Sequence, residues 1–187
     1  MPTRVGLFGG TFNPPHKGHV AVLKAAARLG RFDLLEVTVA GDPYQKRDPS
    51  LLSGDARLAM ARAAFEGLSL VEVSDRELRR AGPTYTIDTV EELRADFDAV
   101  DLIIGADLAG QISSWHRADE LATLVEVGVV PRPGDDQRIG PAWRGYRIPM
   151  SPVDLSSTYI RDLEPTRADL DDLLPASVVP LYIAYRG

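Results

Sequence analysis

The sequence predicts an α/β fold with a Rossmann-like, doubly wound and mostly parallel sheet. Short apolar runs bounded by Gly, Pro and Asp alternate with segments whose apolar residues recur at helical spacing. This alternation is typical of a parallel sheet that is covered by helices on both faces. The chain has 187 residues and shows neither an internal repeat nor a low-complexity linker. We therefore predict a single domain over residues 1–187, in which residues 156–187 form a C-terminal helical portion.

The elements follow one another in a regular order along the chain. Residues 4–8 are predicted as a short buried strand that Gly9 and Gly10 interrupt, and residues 18–29 as a helix with one apolar face. The further predicted strands are 34–40, 68–73, 101–104, 125–130 and a short one at 146–148. The further predicted helices are 55–65, 88–97, 119–124, 156–164 and 176–185. The last helix can hold Pro180 only near its first turn.

The composition excludes several classes of protein. Lys and Arg number 21 against 27 Asp and Glu, and the resulting net charge of -6 argues against a nucleic-acid partner. The absence of cysteine excludes disulfides, thiolate catalysis and cysteine-based metal sites. No apolar run approaches the ~20 residues that span a bilayer, and the N-terminus lacks the pattern of a secretory signal. We expect a cytoplasmic protein without a membrane partner, and the sequence leaves open whether it forms a homo-oligomer.

The most informative segment, GGTFNPPHKGH at residues 9–19, lies where the first strand leads into the first helix. Gly9 and Gly10 allow the backbone to approach a ligand closely. His16 and His19 are three residues apart, so both rings project to one side of the helix start, where free N–H groups favour an anion. The alternatives are a Gly/Pro turn with two surface histidines, or an incidental metal pair. The combination of residue types at one strand–helix junction favours a phosphate site.

A second anion site is predicted at the late helix, where residues 154–161 are DLSSTYIR. Ser156 or Ser157 is a natural N-cap, and Thr158 adds a third hydroxyl beside the free N–H groups. Arg161 follows Ser157 by four residues, which places its guanidinium on the same face. The alternative is ordinary helix capping with a solvated arginine.

These two segments resemble the signatures of the HxGH nucleotidyltransferase superfamily, whose second signature is usually Ile-Ser-Ser-Thr-x-Ile-Arg. The superfamily transfers a nucleotidyl group from a nucleoside triphosphate and releases pyrophosphate, and the resemblance implies a sheet of nucleotidyltransferase type. The chain contains neither G-x-G-x-x-G nor the Walker pattern G-x-x-x-x-G-K-[ST]. Redox chemistry with NAD and P-loop hydrolysis are therefore poor candidates.

Three further segments narrow the resemblance to the bacterial nicotinate-nucleotide adenylyltransferases. They are GPTYTIDT at residues 82–89, GAD at 105–107 followed by Trp115, and RPG at 132–134. Pantetheine-phosphate adenylyltransferases share the first signature, but they are usually shorter and lack the Gly-Pro-Thr-Tyr-Thr stretch. Two positions depart from the family pattern, since Asn13 replaces a frequent Asp and the segment before Lys46 lacks the more usual Pro-His-Lys.

The resemblance implies a role for each residue of the site. The ATP phosphates would be held by Gly9, Gly10, Thr11, His16 and His19 on one side and by Ser156, Ser157, Thr158 and Arg161 on the other, so residues 156–187 would complete the ATP site. The adenosine would lie at Gly105 and Asp107. The nicotinate would be bound by Thr84, Tyr85, Thr86 and a stacking Trp115, and the mononucleotide phosphate by Lys46 and Arg132. Asp107 and Thr86 have a plain alternative, because both residue types commonly cap helices.

The implied reaction is attack by the phosphate of nicotinate mononucleotide on the α-phosphorus of ATP, giving deamido-NAD and pyrophosphate. No general base and no covalent intermediate are required, and the catalytic residues His16, His19 and Arg161 would supply positive charge. We expect Mg²⁺ to be held mainly by the phosphates of ATP, without a protein metal site. The alternative acceptors are nicotinamide mononucleotide or another phosphorylated molecule such as pantetheine phosphate. A non-catalytic sensor of adenine nucleotides is the alternative of another class.

Overall fold

The computed structural model describes residues 3–41, 50–134, 139–163 and 166–186. The strands are β1 (Arg4–Gly10), β2 (Leu34–Val39), β3 (Val71–Ser74), β4 (Ala99–Gly105), β5 (Val125–Val130) and β6 (Gly145–Arg147). The helices are α1 (Lys17–Arg28), α2 (Gly54–Phe65), α3 (Arg76–Arg79), α4 (Thr86–Leu93), α5 (Ala106–Ala109), α6 (Ala118–Leu124), α7 (Ser157–Asp162), α8 (Arg167–Leu173) and α9 (Val179–Arg186), with a 3-10 helix at Ile112–Ser114.

The described strands form one six-stranded sheet in the order β3-β2-β1-β4-β5-β6, and every neighbouring pair is parallel. Strand β1 pairs with β2 on one side and with β4 on the other. Strands β2 and β3 are therefore added on one side of β1 and strands β4 to β6 on its other side, so the order of the strands reverses between β1 and β4. Ligands of open α/β sheets bind at such a switch point, outside the carboxyl ends of the strands. The predicted doubly wound α/β fold is confirmed.

Apolar side chains cover both faces of the sheet. On one face, Leu35 of β2 packs in a buried cluster with Leu23 of α1 and Phe65 of α2. On the other face, Leu102 of β4 packs in a second cluster with Ile87 of α4. Because both faces of the inner strands are buried, β4 and β5 are mostly apolar rather than alternating, whereas the edge strand β3 alternates in the sequence VEVS.

Several element boundaries differ from the predictions. Strand β1 continues through Gly9 and Gly10, which stay in the ladder with β2 instead of interrupting it. Strand β3 begins at Val71 rather than three residues earlier, because Leu70 has a φ of 66°, which is incompatible with an extended strand. The helices α3, α5 and α8 and the 3-10 helix at Ile112–Ser114 were not predicted.

The predicted helices at the C-terminus are present as shorter elements. Helix α7 ends at Asp162, and α9 begins at Val179, so Pro180 lies in its first turn as predicted. Between them, α8 is held by a capping box in which Thr166 and Asp169 bond each other's backbone N–H groups. Within the described residues, no helix is long and apolar enough to cross a membrane.

Candidate active site

A cavity of about 310 Å³ opens at the switch point of the sheet, beyond the carboxyl ends of β1, β4 and β5. Its walls come from segments that are far apart in sequence, namely the loop before α1, the start of α5, the segment after β5 and the start of α7. The predicted site residues that line it are Gly9, Gly10, Thr11, His16, His19, Gly105, Asp107, Arg132, Ser156, Ser157, Thr158 and Arg161. The structure therefore brings both predicted anion sites to one cavity.

The two histidines form a stacked pair at the start of α1. Their ring centroids are 3.6 Å apart and their planes are inclined by 25°. His16 is the N-cap residue, and its backbone N–H donates to Nδ1 of His19 over 3.0 Å. Since Nδ1 of His19 accepts a hydrogen bond, the proton of the neutral ring is on Nε2, which is then the donor available to a ligand. Nδ1 of His16 is buried without a hydrogen-bond partner among the described residues.

Both histidines are neutral in the free protein, which corrects the prediction that they supply positive charge. Burial, followed by the neighbouring charge of Arg132, lowers the pKa of His16 to about 3. Burial also lowers the pKa of His19 well below its usual value, with smaller effects from His16 and Arg132. Each ring therefore acts as a hydrogen-bond donor or acceptor at neutral pH, and the cationic side chains among the described residues that line the cavity are Arg132 and Arg161.

The packing around the histidines explains two small residues of the first signature. A methyl group at Gly18 would come within 2.9 Å of Nδ1 of His16, and one at Gly10 within 2.8 Å of the ring of Phe12. Phe12 is almost fully buried with a φ of 50°, and its ring meets that of His19 edge-on at 5.0 Å between centroids. Sequence reasoning missed Phe12, whose aromatic character within a Gly/Pro-rich loop was the available signal.

The buried state of His16 predicts a loss of stability at acidic pH. The unfolded chain binds a proton on this residue near pH 6.5, whereas the folded protein does so only at about 3. The free energy of unfolding therefore falls as the pH decreases between these values. We expect the His16→Gln variant to gain about 2 kcal/mol relative to the wild type when the pH changes from 7 to 5. Urea denaturation at both pH values measures this difference.

Ser157→Ala provides the control, because it alters the same cavity without removing a titratable group. The difference in unfolding free energy between this variant and the wild type should be the same at pH 7 and pH 5. A pH-independent difference for His16→Gln as well would contradict the neutral, buried state of His16.

The second signature is bound tightly to the first. Ser156 is the N-cap of α7, and its hydroxyl accepts a hydrogen bond from the N–H of Tyr159 over 3.1 Å. The hydroxyl of Ser157 donates to the carbonyl of Pro14 over 2.8 Å. Arg161 donates to the carbonyl of Asn13 over 2.9 Å and also lies 3.4 Å from the hydroxyl of Thr158. The start of α7 thus carries both a cap, as the plain alternative expected, and an arginine at the cavity.

Asn13 joins the first signature to the segment before α2. Its side chain, 1% exposed, donates from Nδ2 to the carbonyl of Ser50 over 3.0 Å and accepts at Oδ1 from the N–H of Leu52 over 3.2 Å. An amide can both donate and accept, whereas an ionised carboxylate can only accept. Asn13 therefore satisfies both contacts, which an ionised Asp at this position could not do.

The Asn13→Asp variant is expected to lose about 1–3 kcal/mol of stability at pH 7, because a carboxylate oxygen would face the carbonyl of Ser50 in a buried position. Chemical denaturation measures the loss. At pH 5 the loss should shrink, since a protonated carboxyl can again donate to that carbonyl. A variant as stable as the wild type at pH 7 would show that the Nδ2 hydrogen bond contributes little.

Asp107 and Arg132 meet across the cavity mouth, with Nε of Arg132 3.6 Å from Oδ1 of Asp107. Gly105 is the N-cap of α5, and Asp107 stands inside the first turn, so the alternative of Asp107 as the cap is wrong. A methyl group at Gly105 would lie 2.3 Å from Oδ1 of Asp107, so only glycine leaves this carboxylate its position. Arg132 also donates to the carbonyls of Val153 and Leu155, which fixes the guanidinium inside the cavity.

The predicted nicotinate residues do not line this cavity. Tyr85 stacks on His116 at 4.0 Å between ring centroids, and Tyr85 and Trp115, both partly buried, pack against the cluster around Ile87. Thr84 bonds the side chain of Glu77, whose pKa is raised by burial. Thr86 is the first helical residue of α4, so the alternative of Thr86 as its cap is wrong. Lys46 lies outside the described residues.

Two further features bear on ligand binding. Lys17, which lies within the first signature, donates to the carbonyl of Asp171 over 2.8 Å and does not line the cavity. Sequence reasoning missed the apolar part of the wall, which includes Leu108, Val130 and Met150. Leu108 is 40% exposed, and its position directly after Asp107 was the available signal. In the described residues, no group of three or more His, Asp or Glu side chains is arranged to hold a metal ion.

Comparisons with known proteins identify the family of this chain. The cytidylyltransferase-like family model matches residues 7–163. A curated relative from Bordetella petrii, named "probable nicotinate-nucleotide adenylyltransferase", is 38% identical over 98% of this chain and 97% of its own length. A relative of the same name from Pseudomonas syringae is 33% identical over 100% of this chain and 94% of its own length.

A solved structure has the same fold. The chain superimposes with a TM-score of 0.80 and 20% identity on the nicotinic acid mononucleotide adenylyltransferase of Plasmodium falciparum complexed with NaAD, over 98% of this chain and 96% of that one. At this level of identity the likeness concerns the fold, and it matches the parallel six-stranded sheet described above.

Proposed function

This chain belongs to the cytidylyltransferase-like family and, by its identity with curated relatives, to the nicotinate-nucleotide adenylyltransferases. From that premise we propose how its cavity carries out adenylyl transfer. The enzyme transfers the adenylyl group of ATP to nicotinate mononucleotide, giving deamido-NAD and pyrophosphate. The observation that carries this function is the meeting of the two signatures, with His16, His19 and Arg161, around one cavity at the switch point of the sheet.

The chemistry is a direct displacement at the α-phosphorus of ATP. An oxygen of the mononucleotide phosphate forms the new P–O bond, and the bond between the α- and β-phosphates breaks, so that pyrophosphate leaves with the electron pair. The attacking phosphate is already ionised at neutral pH, and no general base is needed. We assign to Nε2–H of His19 a hydrogen bond to the phosphate oxygens whose charge increases in the transition state.

The remaining residues align and neutralise the phosphates. We assign the triphosphate to Gly9, Gly10 and Thr11 together with His16, and to the opposite wall formed by Ser156, Ser157, Thr158 and Arg161, so that residues 156–187 complete the ATP site. The two arginines, Arg161 and Arg132, would supply the positive charge that the neutral histidines lack. Bringing the reacting atoms together in this way is the main source of acceleration that such a site offers.

The nucleoside and the acceptor occupy the two ends of the site in this proposal. Gly105 and Asp107 would bind the adenosine, with the carboxylate accepting from the ribose hydroxyls and Leu108 contacting the base. Acceptor binding is assigned to Thr84, Tyr85, Thr86, Trp115, Lys46 and Arg132.

We propose that Mg²⁺ reaches the site with the nucleotide. The carboxylate among the described residues of the cavity wall is Asp107, so the donor set fits an ion that the oxygens of the triphosphate hold, as Mg²⁺ is commonly bound with substrate phosphates. The ion would reduce the negative charge of the triphosphate. Because both substrates are metabolites of the cell interior, we place the enzyme in the cytoplasm.

Pyrophosphate release tests the function directly. The purified chain is incubated with ATP and, separately, with nicotinate mononucleotide, nicotinamide mononucleotide and pantetheine phosphate. We expect rapid release with the first acceptor and much slower release with the other two. Preference for another acceptor would overturn the assignment of the substrate. ATP binding without pyrophosphate release in the presence of any of these acceptors would favour a non-catalytic sensor of adenine nucleotides.

A further inference from the structure

Arg57 on α2 is the largest fully buried side chain outside the two apolar clusters, with 2% of its surface exposed. Among the described residues, no carboxylate lies within ion-pair distance of it. Burial lowers the pKa of its guanidinium, but arginine remains protonated at neutral pH in proteins. Burying a cation without a carboxylate partner costs desolvation free energy, unless hydrogen bonds compensate for it.

The guanidinium donates to four main-chain carbonyls in three segments. Nη1 donates to Thr11 over 3.0 Å and to Ala40 over 2.7 Å. Nη2 donates to Gly41 over 3.2 Å, and Nε donates to Leu52 over 3.1 Å. One planar group therefore joins the loop after β1, the end of β2 and the segment before α2, and only the fixed fork of arginine offers donors in this arrangement.

The bond to Thr11 orients a peptide unit of the phosphate loop, residues 9–13. In a trans peptide the C=O and the following N–H point in opposite directions. Because the carbonyl of Thr11 points to Arg57, the N–H of Phe12 points away from it. Phe12 has a φ of 50°, a conformation that a bulky residue keeps only when its surroundings impose it. The hydrogen bond from Arg57 holds the peptide unit that directly precedes Phe12.

Asn13 strengthens the same connection. Its amide bonds Ser50 and Leu52, and Leu52 is also the partner of Nε of Arg57. The loop is thus held at Thr11 and at Asn13 against one short segment. The charge of Arg57 lies directly behind this loop, where it favours the binding of an anion on the loop's other side.

We propose that Arg57 is a positioning residue for adenylyl transfer, which sets the phosphate loop through the carbonyl of Thr11 and supports the triphosphate with a buried positive charge. The proposal rests on the proposed function. It predicts that a change at Arg57 weakens the binding of ATP and slows the transfer step, and that it has little effect on binding of the mononucleotide.

Arg57→Lys is the variant that tests this, because it keeps a cation but loses the fork. We expect kcat to fall by about 10–10²-fold, because small displacements of reacting groups slow a reaction by such factors. The KM for ATP should rise by about fivefold or more, while the KM for nicotinate mononucleotide should change by less than about twofold. Arg62→Lys is the matched control, since Arg62 lies on the same helix but is 57% exposed and contacts Asp75. It should keep both constants.

The assays are run at a temperature at which circular dichroism shows each variant fully folded. If folded Arg57→Lys keeps kcat and the KM for ATP, or if both Michaelis constants change alike, Arg57 has a structural role alone and the proposal fails.

A second measurement uses the wild-type chain, so that the proposal can be tested even if Arg57→Lys does not fold. The Nε–H signal of Arg57 in a 15N-labelled sample should shift when inorganic pyrophosphate is added and stay in place when nicotinate mononucleotide alone is added. A signal insensitive to pyrophosphate would overturn the proposal. Since this titration requires no turnover, a chain that fails to make deamido-NAD but shows the shift would refute the proposed function, and with it the role in adenylyl transfer, while the part of Arg57 in supporting a bound phosphate group would stand.

Discussion

Replacing His19 with alanine is expected to lower kcat by about 10²–10³-fold, the usual cost of removing one hydrogen-bond donor to a developing charge. The ring of His19 lines the cavity, and its Nδ1 is already engaged by the N–H of His16. The remaining donor, Nε2–H, is the group to which we assign the hydrogen bond to the phosphate oxygens. Steady-state assays of pyrophosphate release at saturating substrates measure the effect.

Two amide variants separate the donor from the helix cap. In His19→Asn, the side chain can still accept from the N–H of His16 but no longer reaches the position of Nε2. In His19→Gln, the side chain reaches that position but loses the geometry of the cap. We expect the Asn variant to be as stable as the wild type with the kcat of His19→Ala, and the Gln variant to retain more activity. Near-normal turnover in His19→Asn would remove His19 from the mechanism.

The fold and the two signatures could be predicted because their signals are local. Strand–helix alternation and glycine-rich turns occur within short windows, and the carboxyl ends of parallel strands meet at one edge of the sheet. The resemblance to the family implied that His16, Asp107 and Arg161 share one site. The rule agrees with this for His16 and Asp107, which lie just beyond β1 and β4.

The charge state of the site could not be predicted in the same way. Whether His16 is protonated depends on its burial and on Arg132, which is more than a hundred residues away in sequence. The roles of Asn13 and Arg57 depend likewise on contacts with residues 50–52 that no periodicity reveals. Such contacts are products of tertiary packing, and a sequence shows only the residue types that are available to make them.

For the acceptor site, a segment that resembles the family is not enough to establish which residues bind the ligand. The stretch Thr84–Thr86 and Trp115 were predicted from their resemblance to the family, and Tyr85 lies against His116, the neighbour of Trp115. Their binding role stays a prediction, because the cavity around the histidines is lined by other residues. Residue types and order along the chain do not determine how far a side chain lies from a bound phosphate.

Replacing Asp101 with alanine is expected to destabilise the protein by about 3–5 kcal/mol, because it removes one partner of a buried charged cluster. The side chain of Asp101 on β4 is fully buried. It accepts from Arg4, from Nε of Arg31 over 2.6 Å and from the hydroxyl of Tyr146 over 2.8 Å. Arg31 also lies over the ring of Tyr146, so one carboxylate joins β1, β4, β6 and the loop after α1.

The same variant should leave the chemistry nearly intact where it is folded. Asp101 precedes Gly105 by four residues, about 13 Å along a strand at ~3.3 Å per residue, and it does not line the cavity. We therefore expect kcat to change by less than about threefold at a temperature at which the variant remains folded. Urea denaturation measures the stability, and the exposed Asp96→Asn serves as the control, with an expected change within about 0.5 kcal/mol.

The outcome discriminates between two views of the cluster. Arg4 and Arg31 are partly exposed, at 27% and 31% of their side-chain surface, so water could solvate them after Asp101 is removed and reduce the loss. If Asp101→Ala costs less than about 1 kcal/mol, solvation and the remaining ion pair between Arg31 and Glu126 replace the contacts of Asp101, and the cluster acts as a surface ion pair. A loss in the expected range instead means that the positions of Tyr146 and of the guanidinium groups depend on the buried carboxylate. Asp101 then holds together the amino-terminal half of the sheet, whereas the cavity lies at the carboxyl ends of the strands.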